Sequence, residues 1–164
     1  MSDVDDNAKQ CALDTPASDN FQLDNYPFYL ISLIDRHYST EVESVSRKHK
    51  IERARWQILL ILREKSPSSI SEISKRSGMK MSTLSKVLER MRHDDLIFTK
   101  PHQSDHRITD VFIDEAGLQT LHALVKVISK QYEHIMAGFS REEVEQLSDQ
   151  LQRILNNLAR SPYE

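Results

Sequence analysis

The chain has 164 residues, enough for one cored domain, and its 38% hydrophobic and 29% charged residues with only three glycines and five prolines suit a mostly helical protein. That balance excludes a collagen-like, sandwich or disordered chain. No apolar run approaches the roughly 18 residues that cross a bilayer, and the opening MSDVDDNAKQ lacks the basic-then-apolar order of a secretion signal, so a cytoplasmic protein without membrane association is expected. The net charge of −3 is unevenly spread: residues 1–25 hold six aspartates against Lys9 alone, while residues 69–107 hold eight lysines and arginines against five acids. A local positive patch is what contact with phosphates requires, whatever the total charge.

In chain order, residues 1–25 form an acidic extension, rich in Asp, Asn and Ser, that needs no fold. It carries Cys11, the single cysteine, which rules out an intrachain disulfide and zinc sites built from several thiolates. The seven histidines are scattered without the close pairing of a metal site, and no cofactor motif is present. From Tyr26 an apolar stripe runs through Tyr29, Leu30, Leu33, Ile34, His37, Tyr38, Val42 and Val45, near the 3.6-residue period, and predicts a long amphipathic helix within a segment spanning residues 26–52. Arg53 to Glu64 is apolar on nearly every side at its centre, as expected of a helix buried between others.

The stretch SSISEISKRSGMKMSTLSKVLERMRHDDLI reads as two helices with a tight break. Ser71 is the expected cap of the first, Ile70, Ile73 and Met79 face inward, and Gly78 supplies the left-handed backbone that ends it. In the second helix Met81, Leu84, Val87, Leu88 and Met91 form the inward stripe, leaving Ser82, Thr83, Ser85, Lys86, Glu89 and Arg90 outside. That outer face is polar, short-chained and partly basic, fit to enter a major groove and bond to bases and phosphates. The run FTKPHQSDHRITDVFID is a β-hairpin around a polar turn from His102 to His106, with Pro101 confining its first strand to an edge. Residues 53–114 thus make a winged helix-turn-helix. In residues 115–164, Asp114 and Glu115 cap a long helix with one apolar face, Gly138 and Ser140 break it, and a last helix carries Val144, Leu147, Leu151, Ile154, Leu155 and Leu158. The fold class is mainly α with a small β wing, and the long first and last helices hold more apolar face than the small winged region covers. A symmetric homodimer is the simplest cover, with a near-palindromic duplex DNA site as its partner.

This order of elements resembles the MarR family of bacterial regulators over roughly residues 26–160: ISEISKRSGMKMSTLSKVLERM is similar to its reading motif and KPHQSDHRITDVFIDEAG to its wing, with Asp105 and Arg107 matching an Asp-x-Arg and Gly117 the glycine that follows. Asp95 stands where a glycine is usual, and Phe98 and Thr99 where basic residues are common. The resemblance implies that Ser82, Thr83, Ser85, Lys86 and Arg90 lie in or beside the major groove, that Arg107 reaches the minor groove, and that Asp105 orients it. Lys80, Lys100 and His102 complete the expected DNA-facing set. It further implies a pocket between the dimerisation helices and the reading lobe for a small aromatic acid or its coenzyme A thioester, for which Tyr29, Arg36, His37 and Arg55 are the candidate contacts, with Trp56 as core. The expected function is a ligand-responsive repressor of genes for aromatic or phenolic compound catabolism or efflux. The alternatives are a winged-helix protein-interaction module or a redox-responsive regulator using Cys11. No phosphate loop, nucleophile motif or HExxH is present, so no enzyme is expected.

Overall fold

The computed structural model describes residues 15–49 and 52–160, with the backbone alone for residues 44–49. Cys11 and the side chain of Val45 lie outside the described residues. After a 3-10 turn at Leu23–Asn25 come α1 (Pro27–His49), α2 (Arg53–Glu64), β1 (Ser68–Ser69), α3 (Ile70–Ser77), α4 (Met81–His93), β2 (Ile97–Pro101), β3 (Thr109–Ile113), α5 (Glu115–Ile135) and α6 (Arg141–Leu158). Among the described residues no helix is long and apolar enough to cross a membrane. The described part of the acidic extension carries structure of its own, since Phe21 packs edge-on against Tyr26 with ring centroids 5.6 Å apart.

Local chemistry sets the helix ends. Ser69, not Ser71, caps α3: its hydroxyl accepts from the Glu72 backbone N–H at 3.2 Å, and Ser71 sits inside the first turn with its hydroxyl 3.0 Å from that of Ser69. Both serines are capping residues by type, but only Ser69 stands three before a glutamate, the spacing of a capping box. Gly78 ends α3 at φ 69°, in the left-handed region. Asp95 adopts φ 55° after α4, the conformation that a glycine would take there, and the Leu96 N–H donates to the Met91 carbonyl at 2.9 Å to close the turn. Asp114 caps α5 by accepting from the Glu115 N–H at 2.7 Å, and Ser140 with Glu143 forms a capping box on α6.

The three strands are antiparallel in the order β1-β3-β2, with β2 and β3 in register from Ile97 opposite Ile113 to Pro101 opposite Thr109. Pro101 therefore lies on an edge strand. The third strand, β1, was not expected; it pairs Ser68 with Val111 and Ser69 with Asp110. Ile58, Leu59 and Leu62 of α2 meet Ile73 of α3, Leu84 and Met91 of α4, Ile97 and Val111 of the sheet, and Leu121 and Leu124 of α5 in one buried core. Met81 departs from the expected stripe and is 49% exposed, because the first residue of α4 overhangs the core instead of resting on it. Gly117 is required by packing: a Cβ there would lie 2.1 Å from the Leu96 carbonyl oxygen, which itself accepts from the Asp114 N–H at 3.0 Å. This close approach locks α5 to the foot of the wing.

Candidate nucleic-acid interface and effector pocket

Burial of Leu84, Val87, Leu88 and Met91 turns the opposite side of α4 outward, so Ser82, Thr83, Ser85, Lys86, Glu89 and Arg90 are all exposed. The Ser85 hydroxyl donates to the Met81 carbonyl at 2.9 Å and keeps its lone pairs for another donor. Lys80 precedes α4 as an N-cap whose side chain makes no capping bond, which leaves first-turn N–H groups open to an anion. Arg90 faces Glu52 at 3.5 Å, a loose exposed pair that costs little to exchange for a phosphate.

On the wing, Arg107 donates from Nε and from a terminal nitrogen to the two Asp105 oxygens, each at 3.0 Å, and from its backbone N–H at 3.0 Å. The Arg107 side chain, then its backbone N–H, hold the Asp105 carboxyl below its usual range, with a smaller push from His102; Asp105 in turn raises the Arg107 guanidinium. The arginine side chain remains 91% exposed. The cation is thus fixed in direction yet open to a partner. Phe98 and Phe112 stack with centroids 4.9 Å apart and planes 4° from parallel, and the Lys100 ammonium lies 5.1 and 5.6 Å from the two ring centres. Phe98, one of the two residues that stand where basic residues are common, therefore helps to hold a lysine at the same place. His102 bonds through Nδ1 to Asp110, at 2.7 Å.

The four residues singled out for a ligand do not converge. His37 lines a cleft of about 290 Å³ with Leu30, Ile34, Tyr38 and Ile135, whereas Tyr29 and Arg36 are outside its walls. Arg55 points away, pairing with Asp94 beyond the end of α4 at 2.5 Å. Its neighbour Trp56, 6% exposed, is core as expected and also walls a second cleft of about 240 Å³ between α1, α2 and α5, with Tyr38, Leu60, Arg63, Val125, Ile128 and Tyr132. Arg63 was missed. Its spacing of seven from Trp56, two helical turns along the same face, is the signal that finds it. Among the described residues no group of acidic, histidine or cysteine side chains is arranged to hold a metal.

Comparison with known proteins agrees with this geometry. The MarR family profile matches residues 51–109. The transcriptional repressor IacR of Pseudomonas putida is 35% identical over 143 residues, spanning 87% of this chain and 86% of that repressor. The MepR–DNA complex of S. aureus superposes with a TM-score of 0.72 at 18% identity, covering 82% of this chain and 98% of that one. PcaV of Streptomyces coelicolor, in complex with its natural ligand, gives 0.69 at 16% identity over 82% and 95%. The winged helix-turn-helix between long helices, the matching profile and the repressor relative agree: the chain belongs to the MarR family of transcriptional regulators, proteins that recognise rather than catalyse.

Proposed function

We propose that the protein is a homodimeric repressor that α4 and the wing hold on a near-palindromic operator and that a small aromatic acid releases. The observation that carries the DNA reading is the pairing of an exposed, polar and partly basic α4 face with an arginine clamped by Asp105 on the same lobe. Lys80, Ser82, Thr83, Ser85, Lys86 and Arg90 serve the major groove and its phosphates. Lys100, His102 and Arg107 serve the wing, with Asp105 as orienter. Dimerisation is supported by α6, which buries none of its residues although Leu147, Leu151, Leu155 and Leu158 form one apolar stripe. A two-fold axis sets two copies of α4 about one DNA turn, ~34 Å, apart.

The effector cleft is the one walled by Trp56, Tyr38 and Tyr132, where Arg63 supplies the cation for a carboxylate and the rings supply the stacking surface. Tyr29, Arg36, His37 and Arg55 are second choices, because none of them lines this cleft. A space of about 240 Å³ fits a single-ring acid; a coenzyme A thioester would place only its acyl ring inside. That PcaV was solved with a ligand and that IacR is a repressor supports a ligand-released repressor here. Release follows if the ligand binds more tightly to a dimer whose α4 spacing no longer matches the half-sites; equal affinity for both forms shifts nothing.

The test is fluorescence anisotropy with duplex DNA from upstream of the protein's own coding sequence, with and without aromatic acids and their thioesters. Nanomolar binding abolished by one acid, and retained with that acid in Arg63→Ala, is the expected result. An acid that binds tightly yet leaves DNA affinity unchanged overturns the release mechanism.

A further inference from the structure

We propose that Asp110 is a positioning residue that makes His102 a proton-dependent phosphate contact, so that the wing grips DNA through this ring only when the imidazole is charged. The proposal rests on the DNA-binding reading of the wing.

The geometry is specific. His102 follows β2 directly, and its backbone N–H donates to the Ile108 carbonyl at 2.9 Å to close the wing loop. Across the hairpin, the Asp110 side chain is only 12% exposed and meets His102 Nδ1 at 2.7 Å, while the imidazole is 42% exposed. The carboxylate is thus hidden behind the ring, and part of the ring is left to solvent. An ionised carboxylate can only accept, so the shared proton sits on Nδ1. The neutral ring then carries a lone pair at Nε2, which repels a phosphate oxygen. A second proton converts Nε2 into a charged donor, and only that form completes the contact.

The other charged groups near the ring are committed elsewhere. Asp105 in the same loop feels the charge of His102, although its oxygens are committed first to Arg107. On β2, Lys100 stands opposite Asp110 in register but is drawn over the Phe98 and Phe112 rings. On the other side of β3, β1 sets uncharged Ser69 opposite Asp110, and the charged pair flanking that strand, Lys65 with Glu72, is closed on itself at 3.0 Å. DNA phosphate adds one more negative charge, so binding takes up a proton. Affinity must then rise as pH falls.

The experiment measures affinity of the full-length protein at fixed ionic strength between about pH 6 and pH 8, for the upstream duplex and for a random-sequence duplex at low salt, since a phosphate contact serves both. Wild type should lose affinity with rising pH by about tenfold more than His102→Gln, which can donate but cannot titrate. Its salt slope should be steeper at the acid end by about 0.9 for each wing, an increment absent from the variant. Asp110→Asn can donate to Nδ1 and so move the neutral ring's proton to Nε2; it should flatten the pH profile while keeping affinity at the alkaline end. His102→Gln with the wild-type pH slope overturns the proposal, because the slope then belongs to other histidines such as His93 or His106. An Asp110→Asn profile as steep as wild type overturns the positioning role. Loss of preference for the upstream duplex at every pH counts instead against the operator reading, and the random-sequence profile still decides the role of His102.

Discussion

The reading lobe from α2 to β3 and the arms made by α1, the far half of α5, and α6 are built from the same sequence signal, an apolar stripe at spacings of three and four, with opposite outcomes. In α4 the stripe residues Leu84, Val87, Leu88 and Met91 are at most 6% exposed, whereas Leu147, Leu151, Leu155 and Leu158 of α6 are between 38% and 59% exposed. On α1, Ile34 is 65% exposed. Periodicity therefore marks a face and says nothing of what covers it. In the lobe the cover is the same chain. In the arms α5 and α6 are capped by Asp114 and Ser140, but the apolar faces are left open to a partner. The lobe should respond to substitution as a folded core does, and the arms as an interface does.

That contrast is broken most severely in the core. Leu59, fully buried on α2, belongs to the core that also takes in residues of α3, α4 and α5. Leu59→Ala should cost about 2–5 kcal/mol per protomer, read as a lower urea midpoint at unchanged m-value. Leu155→Asp, at a position 59% exposed in the single chain, should leave the lobe folded but loosen the dimer by about 1.5–3 kcal/mol for each protomer. Sedimentation velocity across a concentration series checks it. A variant that stays dimeric while its lobe unfolds would reverse the division drawn above. Gly117→Ala should cost about 1–3 kcal/mol, because α5 must lift from the Leu96 carbonyl to admit the methyl group. A neutral result in denaturant would mean that the wing and α5 slide freely on one another.

How much of this was legible in the sequence follows the same divide between local and distant causes. The bounds of α2, the left-handed turn at Gly78 and the caps Asp114 and Ser140 depend on neighbours within a few residues, and the sequence carries them directly, whereas the turn at Asp95 was marked only by the family resemblance. The strand β1 is two serines whose pairing is decided by Val111 and Asp110, some forty residues on, and no local pattern announces it. Arg55 was drawn toward the pocket by adjacency to Trp56, yet successive residues on a helix point about 100° apart, which carries it round to Asp94. Asp110 was not singled out in the sequence, because its partner His102 lies eight residues back, just past the end of β2, and only the pairing of the hairpin brings the two together.

The smallest expected effect concerns that Arg55–Asp94 link, which ties the lobe's buried helix to the end of its reading helix. His93, then Arg55, hold the Asp94 carboxyl below its usual range by hydrogen bonding. A carboxyl with a lower pKa in the folded than in the unfolded chain contributes stability that is complete above the unfolded value, about 4, and is lost as pH falls through the folded one. Asp94→Asn should therefore lower the thermal midpoint slightly at pH 7, and its difference from wild type should shrink toward zero in acid, where Asp94 is also neutral. The effect is small because the carboxylate is in water, but its partner is not: the Arg55 side chain is 12% exposed and its Nε has no hydrogen-bond partner. Removing the charge of Asp94 strands a cation that the lobe has already half desolvated, so the loss should exceed that of Glu145→Gln, whose partner Arg141 on α6 is 91% exposed. Equal shifts for the two variants would mean that the lobe holds its surface pairs no more tightly than the arms do.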